Sequence, residues 1–310
     1  MWITFSVFAA ISFGLRGILY HWTSQKPLNR NALLCGTFAM GALVNLVISL
    51  AISSTWSLAC LIGIQMGLFS FGGNASMFKG FAVGKASLVA VLTSLPSVVV
   101  VIVAFFLWNE RLHLMQLIAF LIIVGGVLLV RYSNDLSFKD LKGAQWGILA
   151  TLLFACNDLS GKWSTMMGAE LYPSMFMLFT TGAICFGLWW LKDRRTEATA
   201  AKAQIAAASA MPVVHANAGM AAPTKVNRWS DRRTFLIGMA VGTTNTLGMM
   251  LIITAFGLGK AGLVSAVVAL NVLIVLLYTR FIVKDKFTRT EVAGIVLSFL
   301  GILLMRLFGA

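Results

Sequence analysis

The residues of this chain best placed to do chemistry are the few polar ones inside long apolar runs. Asn157-Asp158-Leu159-Ser160-Gly161-Lys162 sets an amide, a carboxyl, a hydroxyl and an ammonium within six positions of an otherwise apolar stretch. Asp158 is the only acidic residue well inside such a run, and Arg16 stands inside another. An ionisable group in hydrocarbon is costly, so it marks either an ion pair or a path for solute or protons. Asp158 and Lys162 are four apart and can pair along one helix face. Asp158 can equally serve a polar substrate or carry a coupling proton. Arg16 faces a cavity or snorkels to the headgroups. Asn245 and Asn271 extend the set, because an amide in an apolar setting needs a partner, in a cavity or on a neighbouring helix. Pro96 lacks an N–H and frees a backbone carbonyl near the middle of its run, kinking the helix and exposing that carbonyl to a solute.

Other chemistries lack their residues. His21, His113 and His215 lie in connections or at run ends with no carboxylate cluster beside them. The four cysteines, Cys35, Cys60, Cys156 and Cys185, fall inside apolar runs without metal-ligand spacing. No enzyme activity, metal or cofactor is expected. A formal charge of +14 would suit nucleic acid, but the basic residues sit in the connections between runs, so no nucleic-acid partner is expected.

The elements that must position these residues are membrane helices. The chain is 59% apolar and 11% charged, against about 25% charged in an average soluble domain. Ten spans are expected near 3–20, 33–53, 58–78, 86–107, 114–131, 144–164, 173–191, 234–255, 263–283 and 291–308, making an all-α integral membrane protein. Nineteen of the 24 Lys and Arg fall in the connections after spans 1, 3, 5, 7 and 9. Cytoplasmic connections carry that excess, which places both termini on the non-cytoplasmic side of a multi-pass cell-membrane protein. Arg16 then lies roughly 10 Å from the cytoplasmic edge and Asp158 roughly 10 Å from the outer edge, flanking a central space.

The spans repeat. Phe81-Ala-Val-Gly-Lys-Ala-Ser-Leu-Val89 returns 175 residues later as Phe256-Gly-Leu-Gly-Lys-Ala-Gly-Leu-Val264, and the same offset carries Gly63 and Gly67 onto Gly238 and Gly242. Spans 1–2 match spans 6–7 at an offset of 141, with Phe13 on Phe154, Phe38 on Phe179 and Gly41 on Gly182. Two repeats follow, 1–132 and 133–310, the second holding a low-complexity cytoplasmic loop at about 192–233. Five spans per repeat is an odd number, so the repeats are inverted. The Gly-x-x-x-Gly pairs predict close helix packing.

Ala86-Ser-Leu-Val-Ala-Val-Leu-Thr-Ser-Leu-Pro96, then Trp108-Asn-Glu-Arg-Leu112 and the run Gln116 to Arg131, resemble the EamA-type ten-helix members of the drug/metabolite transporter superfamily. The resemblance implies a secondary transporter of a small polar or amphiphilic metabolite (an amino acid, sugar or drug-like solute), working by alternating access in a lipid bilayer as a monomer or homodimer. Asn271 departs from it, standing where Pro96 predicts a second kinking proline. The orientation of the termini departs too, since many family members keep them cytoplasmic. The alternative reading is a non-transporting membrane sensor or scaffold.

Overall fold

The computed structural model describes residues 1–131, 142–209, 229–282 and 288–308, and all regular structure among them is helical. Twelve α-helices make ten crossings: α1 (Trp2–Ser24), α2 (Arg30–Ala51), α3 (Ile62–Val83), α4 (Ala86–Leu92) with α5 (Pro96–Trp108), α6 (Leu114–Arg131), α7 (Ala144–Met166), α8 (Leu171–Ser209), α9 (Asp231–Leu258), α10 (Ala261–Val268) with α11 (Asn271–Phe281), and α12 (Arg289–Phe308). Nine of the crossings are long and apolar enough to span a bilayer by length and composition alone. The tenth, α7, has the length, at 23 residues, but carries Asn157, Asp158 and Lys162.

The fourth and ninth crossings are broken at equivalent places. Pro96 opens α5 and cannot donate to the carbonyl of Leu92; Leu95 N bonds that carbonyl at 3.1 Å instead, and Val98 N bonds Leu95 O at 3.1 Å. In the second repeat Leu270 N bonds Val267 O at 3.1 Å and Leu273 N bonds Leu270 O at 2.9 Å. These are the same short turns 175 residues on, with Asn271 opening α11 in place of proline. The break therefore recurs without the residue that forces it in the first copy.

Glycine contacts are exchanged between the repeats. A Cβ on Gly63 would lie 2.1 Å from the Ser174 carbonyl oxygen of α8, and one on Gly67 would lie 2.5 Å from that of Leu178. Gly238 and Gly242 approach Leu33 and Thr37 of α2 at the same 2.1 and 2.5 Å. The Phe179 ring fills the space at Gly41 and the Phe38 ring the space at Gly182, while Phe154 packs on Gly73 and Phe13 on Gly248. Each contact maps onto its counterpart under the offsets of 141 and 175, so the ten crossings form two five-span halves. Equivalent helices are five crossings apart, so the halves run in opposite senses through the bilayer.

Two expectations meet the structure differently. Helix α8 runs 39 residues, to Ser209, so the segment expected as loop from about 192 begins as helix. The Ala-rich stretch there carries the propensity to prolong it. Of the remaining loop, 210–228 lies outside the described residues; Trp229 N then bonds Pro27 O at 2.9 Å, and Ser230 caps α9. The boundary at 132–133 also lies outside the described residues.

Close backbone approach makes the glycine faces intolerant of even one methyl. Gly63→Ala is expected to destabilise the protein by about 1–3 kcal/mol, read as a lowered melting temperature in detergent. Gly125→Ala, whose new methyl would meet nothing within 4 Å, should leave it unchanged.

Candidate solute cavity

The two broken crossings meet α1, α3, α7 and α9 around a cavity of about 270 Å³. Arg16, Pro96, Asn157, Asp158, Asn245 and Asn271 all line it. Helical spacing explains how α7 presents two of them: Asn157 and Asp158 follow one another on the flank that faces the breaks, while Ser160 turns to Gln65 of α3, which donates to it at 3.1 Å.

Arg16 points inward. Its Nη1 donates to Asn245 Oδ1 at 2.5 Å, and its guanidinium carbon lies 4.5 Å from the Phe13 ring centre and 5.8 Å from that of Tyr20. Inward hydrogen bonding and ring contacts replace the headgroup snorkelling that was the other reading. Asn245 gains the partner its amide needs, from α1 of the opposite half.

Asp158 does not pair with Lys162. Its Oδ2 accepts from Ser265 Oγ at 2.6 Å, across to α10. Lys162 sits a turn further along, where its Nζ lies 3.3 Å from Glu110 Oε1 and donates to the carbonyls of Phe256 and Gly259 at 2.9 and 2.8 Å. Acceptors at the C-terminal end of α9 and on the α5–α6 connection hold the ammonium instead of its own helix face.

Pro96 lines the cavity with its ring, but the carbonyl it frees is occupied. Thr151 Oγ1 of α7 donates to Leu92 O at 2.7 Å, so that oxygen is not the solute contact expected from the sequence. Asn271 borders the cavity at the matching break.

Three contributors escaped the sequence reading. Arg131 closes α6 and reads as an interfacial residue, yet it lines the cavity, and its Nε is buried with no hydrogen-bond partner among the described residues. Ser97, just after the break, has a buried hydroxyl likewise without a partner, as does Asn157 at Oδ1. Ser265 lies in an apolar run and becomes notable only through Asp158.

The cavity is built unevenly along the helix axes. Tyr20, Met77, Phe81 and Arg131 carry its lining toward the C-terminal ends of α1, α3 and α6. The opposite end is crossed by a polar lattice: the Glu110–Lys162 pair, both side chains 14% exposed, Glu110 Oε2 accepting from Ala261 N at 2.8 Å, and Lys260 Nζ donating to Gln116 Oε1 at 2.8 Å. The lattice joins the α5–α6 connection of one half to α7 and the α9–α10 connection of the other. Three of the four basic residues outside the Lys- and Arg-rich connections and span 1 (Arg111, Lys162 and Lys260) take part, Arg111 through its carbonyl.

Glu110→Gln removes the charge that holds Lys162. It is expected to raise several-fold the modification of a cysteine placed at Ser265, in a background without the four native cysteines, by an impermeant maleimide added from the Glu110 side. An unchanged labelling rate would show that the lattice does not close that end.

Residues 1–132 match the model of the EamA-like transporter family. Twenty-eight solved chains match the structure. One, a protein known from a crystal structure, superposes with a TM-score of 0.72 over 99% of this chain and 97% of its own, at 13% identity. That likeness shows a shared fold. No curated protein matches the chain.

Proposed function

We propose that this chain, which matches the EamA-like transporters over residues 1–132, is a secondary transporter that moves a small polar or amphiphilic metabolite by alternating access between its halves, 1–132 and 133–310. The observation that carries the reading is the polar cavity set at the junction of the two broken crossings. Irregular backbone at membrane depth is tolerated where it is buried in protein or lines such a cavity, and inverted repeats place substrate sites at their junction. The exchanged glycine contacts supply the second support. They give the halves two equivalent backbone-on-backbone faces, over which one half can rock against the other.

Arg16, Asn157, Asp158, Asn245, Asn271 and Pro96 form the substrate site in this reading, and Asp158 carries the coupling proton. Arg16, Arg131 and Tyr20 are the other charged or titratable groups on the cavity wall. A proton on Asp158 removes the only negative charge among them, so proton binding and solute binding must affect one another. Linkage makes that effect reciprocal. The protein resides in the cell membrane with its termini outside the cytoplasm and the cavity lined toward the cytoplasmic ends of α1, α3 and α6.

Two measurements check these points. A metabolite comparison of vesicles with and without the protein identifies the moved solute. Asp158→Asn is then expected to reduce its uptake on the order of tenfold, the size of a modest coupling energy, and to flatten its dependence on pH. Uptake with an unaltered pH profile would remove Asp158 as the proton carrier. Separately, a reporter fused after Ala310 should be active only on the non-cytoplasmic side; cytoplasmic activity reverses the orientation.

A further inference from the structure

The charges on the cavity wall do not balance. Arg16 and Arg131 bring two guanidiniums, against the one carboxyl of Asp158, whose Oδ2 is already engaged by Ser265. Two other half-buried cations have counter-charges: Lys162 has Glu110 and Arg280 has Glu291. Among the described residues neither Arg16 nor Arg131 forms an ion pair. Asn245 and two aromatic rings hold part of Arg16, but its Nε, like that of Arg131, is buried without an acceptor. The two arginines come from different helices, α1 and α6, and converge on the same space.

Guanidinium N–H groups buried without an acceptor are costly. A planar fork of such donors fits a carboxylate through two parallel hydrogen bonds. The remaining wall mixes hydroxyl and amide side chains with apolar ones, Phe154 and Phe179 among them. The volume of about 270 Å³ lies just below the roughly 300–1,000 Å³ of pockets that hold drug-sized ligands, so the solute is small. Resting on the transporter reading, we infer that the substrate of this cavity is a small organic monoanion: a carboxylate held by Arg131 and Arg16, with a short apolar body against Phe154 and Phe179. Asn157 Oδ1 and Ser97 Oγ, both buried and unpartnered, bond a hydroxyl of the substrate where it has one. Arg131 becomes the specificity residue, since it selects the sign of the head group.

Four probes with the same six-carbon chain separate the head groups: hexanoate, norleucine, hexanamide and hexylamine, titrated against the purified protein in nanodiscs. Hexanoate is expected to bind tightest. Arg131→Gln should weaken it at least tenfold and Arg131→Lys less, because lysine keeps the charge and loses the fork. Arg306→Gln, at the exposed repeat counterpart on α12, should leave it unchanged. The inference falls if any other probe binds as tightly as hexanoate, if none of the four binds, or if Arg131→Gln is silent. Flux of the amine or amide without flux of hexanoate removes the anion while leaving the transporter reading in place; absence of flux for a broad metabolite panel removes the transporter reading itself.

Discussion

A polypeptide in hydrocarbon must satisfy every backbone N–H and C=O from within, and the rest of this structure depends on how it does so where two helices stop. At the first break Pro96 takes a donor away, and the Leu92 carbonyl accepts instead from Leu95 N and from the Thr151 hydroxyl of the opposite half. At both breaks short i→i+3 bonds carry the ladder across. Such turns survive only inside protein, so the breaks pull α1, α3, α7 and α9 around them. The cavity is the space those helices cannot fill, and its polar wall follows from its position.

The same demand for close, satisfied packing sets the surroundings. Without a hydrophobic force between helices in lipid, attraction comes from contact, and contact improves as backbones approach. Gly63, Gly67, Gly238 and Gly242 bring α3 onto α8 and α9 onto α2 at distances no side chain allows. The half-buried ion pairs among the described residues then sit at the ends: the Glu110–Lys162 lattice on one side, the Arg280–Glu291 pair on the other. Between them Arg16, Arg131 and Asp158 are the ionisable groups with access to the cavity, apart from the phenol of Tyr20.

Architecture was legible in the sequence because repeats and apolar length are one-dimensional signals. The offsets of 141 and 175 anticipated which contacts would be exchanged, down to Phe38 with Gly182 and Phe179 with Gly41. The five polar positions chosen for their depth, and Pro96 with them, all reach one cavity, since an amide or charge inside an apolar run has few other places to go. Pairing was not legible. Ser265 stands 107 residues from Asp158, and Glu110 stands 52 from Lys162, so the near neighbour on the same helix looked the better partner. Arg131 was hidden by its position at a helix end, where arginine is ordinary. The break before Asn271 has neither proline nor glycine to announce it and is set by the fold around it.

The reciprocal seating of Phe38 and Phe179 on each other's glycines has a consequence for ancestry. The two surfaces that meet there are copies of one surface, and each is complementary to the other only when inverted. A half-length protein inserted in both orientations would find in its own upside-down copy the same ring, the same glycine and the same carbonyl approach. The fused chain keeps that dual-topology pair at fixed one-to-one stoichiometry. It also frees each half to lose symmetry around the cavity, where Arg16 stands against Asn157 and Asp158 against Gly17.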